Sequence, residues 1–181
     1  CAWLLTREVT LVVDWAANLR PADRAAISGM GPGHSHGAWA FEYRNEWYPD
    51  VDDTAMVCKA LWRAARGSDS SVARRSRAAA LRGVNWLLAM QNDDGGWAAF
   101  DRTTHREWME HVPFADHNAM QDPSCADITG RTLEALITCG VRRDHPRVRD
   151  AVAYLRRQQR PQGCWWGRWG VNYIYGTYLA L

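Results

Sequence analysis

Arg82-Gly83-Val84-Asn85-Trp86-Leu87-Leu88-Ala89-Met90-Gln91-Asn92-Asp93-Asp94-Gly95-Gly96-Trp97 is the stretch on which the fold turns. It returns at Asp150 to Trp165, where Tyr154-Leu155 replaces Trp86-Leu87, and Gln159, Gly163 and Trp165 each stand 68 positions after Gln91, Gly95 and Trp97. A looser third copy opens the chain: Ala2-Trp3-Leu4, then Glu8, with the closing Gly37-Ala38-Trp39 displaced by an insertion. Self-similarity at a fixed period marks a repeat architecture, in which one unit cannot bury its apolar face alone.

The physics of the unit follows from its residues. The aromatic at position 86 lies one helical face from Gln91, near the helix C-terminus, where a side-chain amide can reach orphan backbone groups and the following turn. Gly95 frees the backbone to turn, and Trp97 is expected to fold back onto a neighbouring unit. A second helix then follows in each unit, starting near Asp52-Asp53-Thr54-Ala55, Asp127-Ile128-Thr129-Gly130 and Tyr175-Gly176-Thr177. No segment alternates with period two, so the chain reads as all-α, with helices over about 51–66, 72–91, 126–139 and 146–159. Residues 19–37, rich in Pro, Gly and Ser, read as a loop. Helix pairs stacked this way build a solenoid or, when closed, an α/α toroid.

The totals narrow the function classes. The 181 residues are 47% hydrophobic with 22 basic and 20 acidic side chains, so the chain is globular and part or all of one domain. Its Arg residues are not gathered into one tract, so nothing points to nucleic acid. Five Cys without a CxxC spacing indicate neither a zinc site nor a disulfide framework. His34 and His36 alone are a weak metal signal. There is no apolar run long enough to span a bilayer. Eleven Trp mean either a repeated packing role or a site that uses aromatic faces. The chain begins at Cys1 without Met and stops at Leu181 inside an apolar run, as expected of a fragment, and with about three helix pairs where a closed toroid needs about twice that it is expected to be inactive by itself.

Before the first of the second helices stands Tyr48-Pro49-Asp50-Val51-Asp52-Asp53-Thr54-Ala55, with three carboxylates in four residues. Two readings stand. Acidic residues in a first turn complement the helix dipole, and Pro49 blocks the helix on its N-terminal side. Carboxylates crowded together also raise a pKa, which is what a proton donor requires.

Taken together, these motifs resemble the triterpene cyclase family. The stretches 82–97 and 150–165 match its Gln-Trp repeat, and Asp50-Val51-Asp52-Asp53-Thr54-Ala55 looks like its acid motif in the bacterial squalene–hopene cyclase form. Oxidosqualene cyclases carry a Cys and fewer carboxylates there. Gly167-Arg168-Trp169-Gly170-Val171-Asn172-Tyr173-Ile174-Tyr175-Gly176-Thr177 is similar to a further long stretch of the same enzymes. The likeness covers nearly the whole chain except about residues 16–36, an atypical loop or insertion, and Ala38 replaces a usual Gly. Class II diterpene cyclases share the acid motif. Prenyltransferase-like toroids, or a helical-repeat binding module, share the architecture.

The resemblance implies an α/α toroid that cyclises squalene to hopene- or hopanol-type triterpenes, with no cofactor and no metal. Asp52 would protonate the terminal alkene, with Asp50 and Asp53 as supporting carboxylates. An ordinary Asp, with a pKa of about 3.9, is ionised at neutral pH, so crowding in an apolar cavity must hold the proton. Asp127 and Arg131 match the pair that contacts the acid; Arg131 stands where some members have His, and Asp127 is expected to neutralise it. Phe41, Phe100 (Tyr in many members), Phe114, Trp169 and Tyr175 match residues that line the cavity, its entrance or the acid's surroundings, where aromatic faces stabilise cations. The resemblance further implies peripheral, monotopic association with the cytoplasmic side of the inner membrane, and is compatible with a homodimer of the full-length enzyme.

Overall fold

A computed structural model describes residues 1–28, 36–42, 45–103, 106, 108–109, 121–170 and 172–181. Seven α-helices order these residues: α1 (Ala2–Leu5), α2 (Pro21–Ser28), α3 (Val51–Ala64), α4 (Ser71–Ala89), α5 (Ala126–Thr138), α6 (Pro146–Gln158) and α7 (Asn172–Ala180). Among the described residues there is no strand, only isolated bridges between Val9 and Ala38 and between Trp39 and Asp50. The α3 boundary follows from its sequence: Asp50 is the N-cap and accepts from Asp53 N at 2.7 Å. Ser70 caps α4 in the same way, accepting from Ala73 N at 3.2 Å, and Pro146 occupies the first turn of α6.

The repeat is written in hydrogen bonds. Trp39, Trp97 and Trp165 each donate their indole N–H to a leucine carbonyl of the preceding repeat helix, on Leu4, Leu87 and Leu155, at 2.9, 2.6 and 2.7 Å. The indole therefore folds back on its own unit; its backbone is what reaches onward. Trp39 N, Trp97 N and Trp165 N donate to the hydroxyls of Thr54, Thr129 and Thr177 at 2.9, 3.0 and 3.0 Å. Each tryptophan thus clips a helix of the first kind (α1, α4, α6) to one of the second kind (α3, α5, α7). Gln91 donates both to Gly95 O and to Arg147 O on α6, at 2.8 Å each. In the opening unit Glu8 takes the corresponding place and grips Arg82 of α4 with two bonds of 2.6 Å.

Helix α3 packs on α4 and α5, and α5 packs on α6 and α7. The α5–α7 approach is close enough that a Cβ on Gly130 would lie 1.9 Å from Leu179 O, so only glycine fits. The core runs through Trp15, Trp39, Leu61, Trp86, Leu87, Trp97 and Leu136, all buried. Most tryptophan bulk in the repeats is packing, as their spacing suggests.

Residues 19–37 require a correction. Pro21–Ser28 is a helix, not loop. Pro21 opens it and Ala22, Ala25 and Ala26 favour it, but the Gly- and Pro-rich residues that follow masked that local preference. The segment is tied to two repeat units: Arg20 bonds Asp93 at 2.9 Å, and Asp23 accepts from Arg147 at 2.8 Å. Helix α7 also starts at Asn172, three residues earlier than its motif suggests. Among the described residues no helix is long and apolar enough to cross a membrane, and no group of His, Cys, Asp or Glu is placed to hold a metal ion.

Candidate active site

The threonine clip puts the same repeat position on three neighbouring helices. Two residues before Thr54, Thr129 and Thr177 stand Asp52, Asp127 and Tyr175. Because α3, α5 and α7 lie side by side, those three side chains meet, and Arg131, one turn along α5 from Asp127, lies among them. Arg131 Nη1 donates to Asp52 Oδ2 at 3.0 Å and also lies 2.9 Å from Oδ1. Its Nη2 donates to the Tyr175 hydroxyl at 2.8 Å. Asp52 Oδ1 is buried and, despite that short approach, meets no donor in hydrogen-bonding geometry.

The other carboxylates are committed differently. Asp50 uses both oxygens on backbone donors, Oδ1 on Asp53 N and Oδ2 on Phe41 N at 3.0 Å. Asp127 is fully buried; its Oδ1 accepts from Ile128 N at 3.1 Å and its Oδ2 from Trp169 N at 3.0 Å. Among the described residues Asp127 forms no ion pair with Arg131, contrary to the expectation that it neutralises that charge. The guanidinium faces Asp52 and Tyr175 instead.

A cavity of about 470 Å³ opens over this cluster, lined by Phe41, Phe100, Trp169, Ala99 and Ile128 together with Asp50, Asp52 and Asp53. Phe100 and Trp169 meet edge to face, 5.8 Å apart at 82°. Glu42, Asn45 and Tyr48 complete the wall, which among the described residues contains no Lys or Arg. Tyr175 and Arg131 stand behind Asp52 rather than in the wall. Phe114 and His34 lie outside the described residues.

Burial sets the electrostatics. It pushes the Asp50 carboxyl up to about 8, helped by the negative charges of Asp53 and Asp52 and opposed by the N–H bond from Asp53. Burial also raises Asp52, with Asp53 and Asp127 adding to the rise and Arg131 working against it. Tyr175 is raised by burial as well, so its phenol stays neutral. At about 8 the Asp50 carboxyl keeps its proton at neutral pH, and the same burial and negative charges strengthen the hold of Asp52 on its own. Asp50 already serves two backbone donors, whereas Asp52 keeps an oxygen with no donor on it and about a third of its side chain exposed.

Two contributors escaped the sequence. The threonines clip the units at separations of 15, 32 and 12 residues from their tryptophans, so no fixed offset betrayed them. Asp122 accepts from Phe100 N at 2.7 Å, and a lone Asp beside Pro123 carries no signal of that.

Comparison with known proteins places this geometry. The family model described as the squalene-hopene cyclase C-terminal domain matches residues 1–181. The chain is 41% identical over 185 residues to a squalene–hopene cyclase of Zymomonas mobilis, covering 99% of this chain and 25% of that protein. It is 40% identical over 178 residues to the squalene–hopene cyclase of Alicyclobacillus acidocaldarius, covering 97% and 25%. A dammaradiene synthase of Dryopteris crassirhizoma is 43% identical over 150 residues, 78% of this chain and 21% of that protein. The chain therefore spans about a quarter of the length of the curated relatives it matches.

Proposed function

This chain belongs to the squalene–hopene cyclase family, and from that premise we propose that it carries the proton-donating part of an enzyme that polycyclises squalene to hopene- or hopanol-type triterpenes. The observation that carries the proposal is the position of Asp52. Its carboxyl, raised by burial, sits on the wall of an aromatic cavity with the Arg131 guanidinium behind it, bonded to Oδ2 and 2.9 Å from the buried Oδ1.

The steps follow from the chain's own residues. Asp52, whose hold on a proton is strengthened by burial and by the neighbouring negative charges of Asp53 and Asp127, transfers that proton to the terminal alkene held in the cavity. The carboxylate left behind needs a positive partner, and Arg131 supplies it at 3.0 Å. Before transfer the same guanidinium is shared with the Tyr175 hydroxyl, which divides its pull on the acid. Arginine here thus stabilises the conjugate base and strengthens the acid, at the cost of a looser hold on the proton before transfer. The cation formed on the substrate meets the faces of Phe41, Phe100 and Trp169, each contact contributing about 0.5–2 kcal/mol without offering a nucleophile.

A class II diterpene cyclase would need positive charge in the cavity to hold a diphosphate, and the described wall has none. The substrate is apolar, and in cells it would reach the enzyme from a membrane; peripheral docking on the cytoplasmic face of the inner membrane belongs to the proposal. The test is the full-length protein carrying Asp52→Asn, incubated with squalene and analysed by mass spectrometry. A general acid contributes about 10²–10⁴-fold, so the pentacyclic product falls by at least about a hundredfold. Undiminished product would refute the role of Asp52, and product from geranylgeranyl diphosphate instead would refute the substrate.

A further inference from the structure

Three of the four aromatic residues that line the cavity, Phe41, Phe100 and Trp169, are each held by a carboxylate in the same manner. Phe41 N donates to Asp50 Oδ2 at 3.0 Å, Trp169 N to Asp127 Oδ2 at 3.0 Å, and Phe100 N to Asp122 Oδ2 at 2.7 Å. Asp50 and Asp127 belong to the acid cluster described above. Asp122 does not; it lies outside the cavity wall, and the proton transfer gives it no task.

Its surroundings are those of a fixed bracket. Thr103 Oγ1 donates to the Asp122 carbonyl at 2.9 Å, anchoring the backbone from which the carboxyl extends. Asp122 Oδ1 is buried and meets no donor in hydrogen-bonding geometry, so the short bond from Phe100 N to Oδ2 is its main hold, with the Ala99 N–H acting on the same carboxyl. Arg168, the residue before Trp169, donates to Gln121 O at 3.2 Å and lies close enough to Asp122 to attract its charge. The segment 121–122 therefore touches both aromatic-bearing strands of backbone, the one carrying Phe100 and the one carrying Trp169. Those are the two rings that meet edge to face at 5.8 Å.

We propose that Asp122 is a positioning residue for the cyclisation: by accepting the Phe100 N–H it sets the angle at which the Phe100 ring meets Trp169 and faces the substrate cation. The inference rests on the cyclase reading of the cavity. A ring attracts a cation over its face and repels it at its edge, so a ring free to swing loses much of its hold on a cation. Loss of one such contact changes partition between continued ring closure and early proton loss by about two- to thirtyfold.

The experiment uses the full-length protein with 4-fluorophenylalanine at position 100, with Asp122 intact or changed to Ser, Glu or Asn. Ser is too short to reach the N–H and Glu places its oxygens one methylene away, while Asn retains an acceptor. In Asp122→Ser and Asp122→Glu the fluorine resonance moves and broadens, and the ratio of pentacyclic to early-terminated products from squalene falls about two- to thirtyfold. Asp122→Asn restores both to within about twofold of the parent. Folded Ser or Glu variants with the parental resonance and product ratio overturn the proposal; should Ser fail to fold, Glu decides. If the parent makes no cyclised product, the cyclase reading fails, and the fluorine resonance alone decides whether Asp122 orients the ring.

Discussion

Asp52 on α3 and Asp127 on α5 occupy the same place in successive repeat units, two residues before the threonine that receives a tryptophan N–H. Their environments diverge from there. Asp127 is fully buried, with one oxygen on Ile128 N and the other on Trp169 N. Asp52 has no backbone donor; its partner is Arg131, and about a third of its side chain faces the cavity. One slot in the repeat is thus left partly open to the cavity in one unit and closed by backbone donors in the next. The third unit puts Tyr175 in that slot, and its hydroxyl takes the other arm of Arg131. The scaffold brings a common position together from three helices, and the chemistry arises from which side chain each unit places there.

The sharpest way to break this contrast is to exchange its consequences. Asp127→Ala in the full-length protein leaves two backbone N–H groups without acceptors, at a cost of about 2–4 kcal/mol in chemical denaturation. Asp52→Asn keeps a carbonyl oxygen for the Arg131 bond and changes stability by under about 1 kcal/mol, while abolishing most turnover. If Asp52→Asn were instead the unstable variant, the assignment of the two slots would be reversed.

A smaller effect concerns Asp50. Its folded pKa is raised, so the stability it contributes is complete below its unfolded value of about 3.9 and is lost as pH rises through about 8. The rise in Asp52 acts with the same sign. The denaturation midpoint therefore declines from about pH 4 to about pH 8 more steeply in the parent than in Asp50→Asn, which keeps the N-cap but cannot titrate. Equal slopes would show that Asp50 is not held up by burial.

Much of this arrangement was legible in the chain. The match of 82–97 to 150–165 exposes the repeat because glycine and tryptophan are required at fixed distances from one helix end, a local constraint. The clustered Asp50, Asp52 and Asp53 mark the site because three carboxylates exceed what a helix cap uses. What stayed hidden depends on contacts across long separations. The Thr54, Thr129 and Thr177 clips span loops of unequal length, and Asp122 acts on a backbone N–H that any residue would supply. Arg131 illustrates the limit most clearly. Four residues from Asp127 on one helix, it invited an intrahelical pair, but the packing of α3 and α7 on either side of α5 offered Asp52 and Tyr175 instead.

The central claim is that Asp52 carries a proton at neutral pH within the folded protein. Infrared difference spectroscopy between the full-length parent and Asp52→Asn at neutral pH reads that proton directly. The account predicts that the substitution removes a protonated-carboxyl C=O band. Loss of an ionised carboxylate band alone, with the C=O band unchanged, would contradict it.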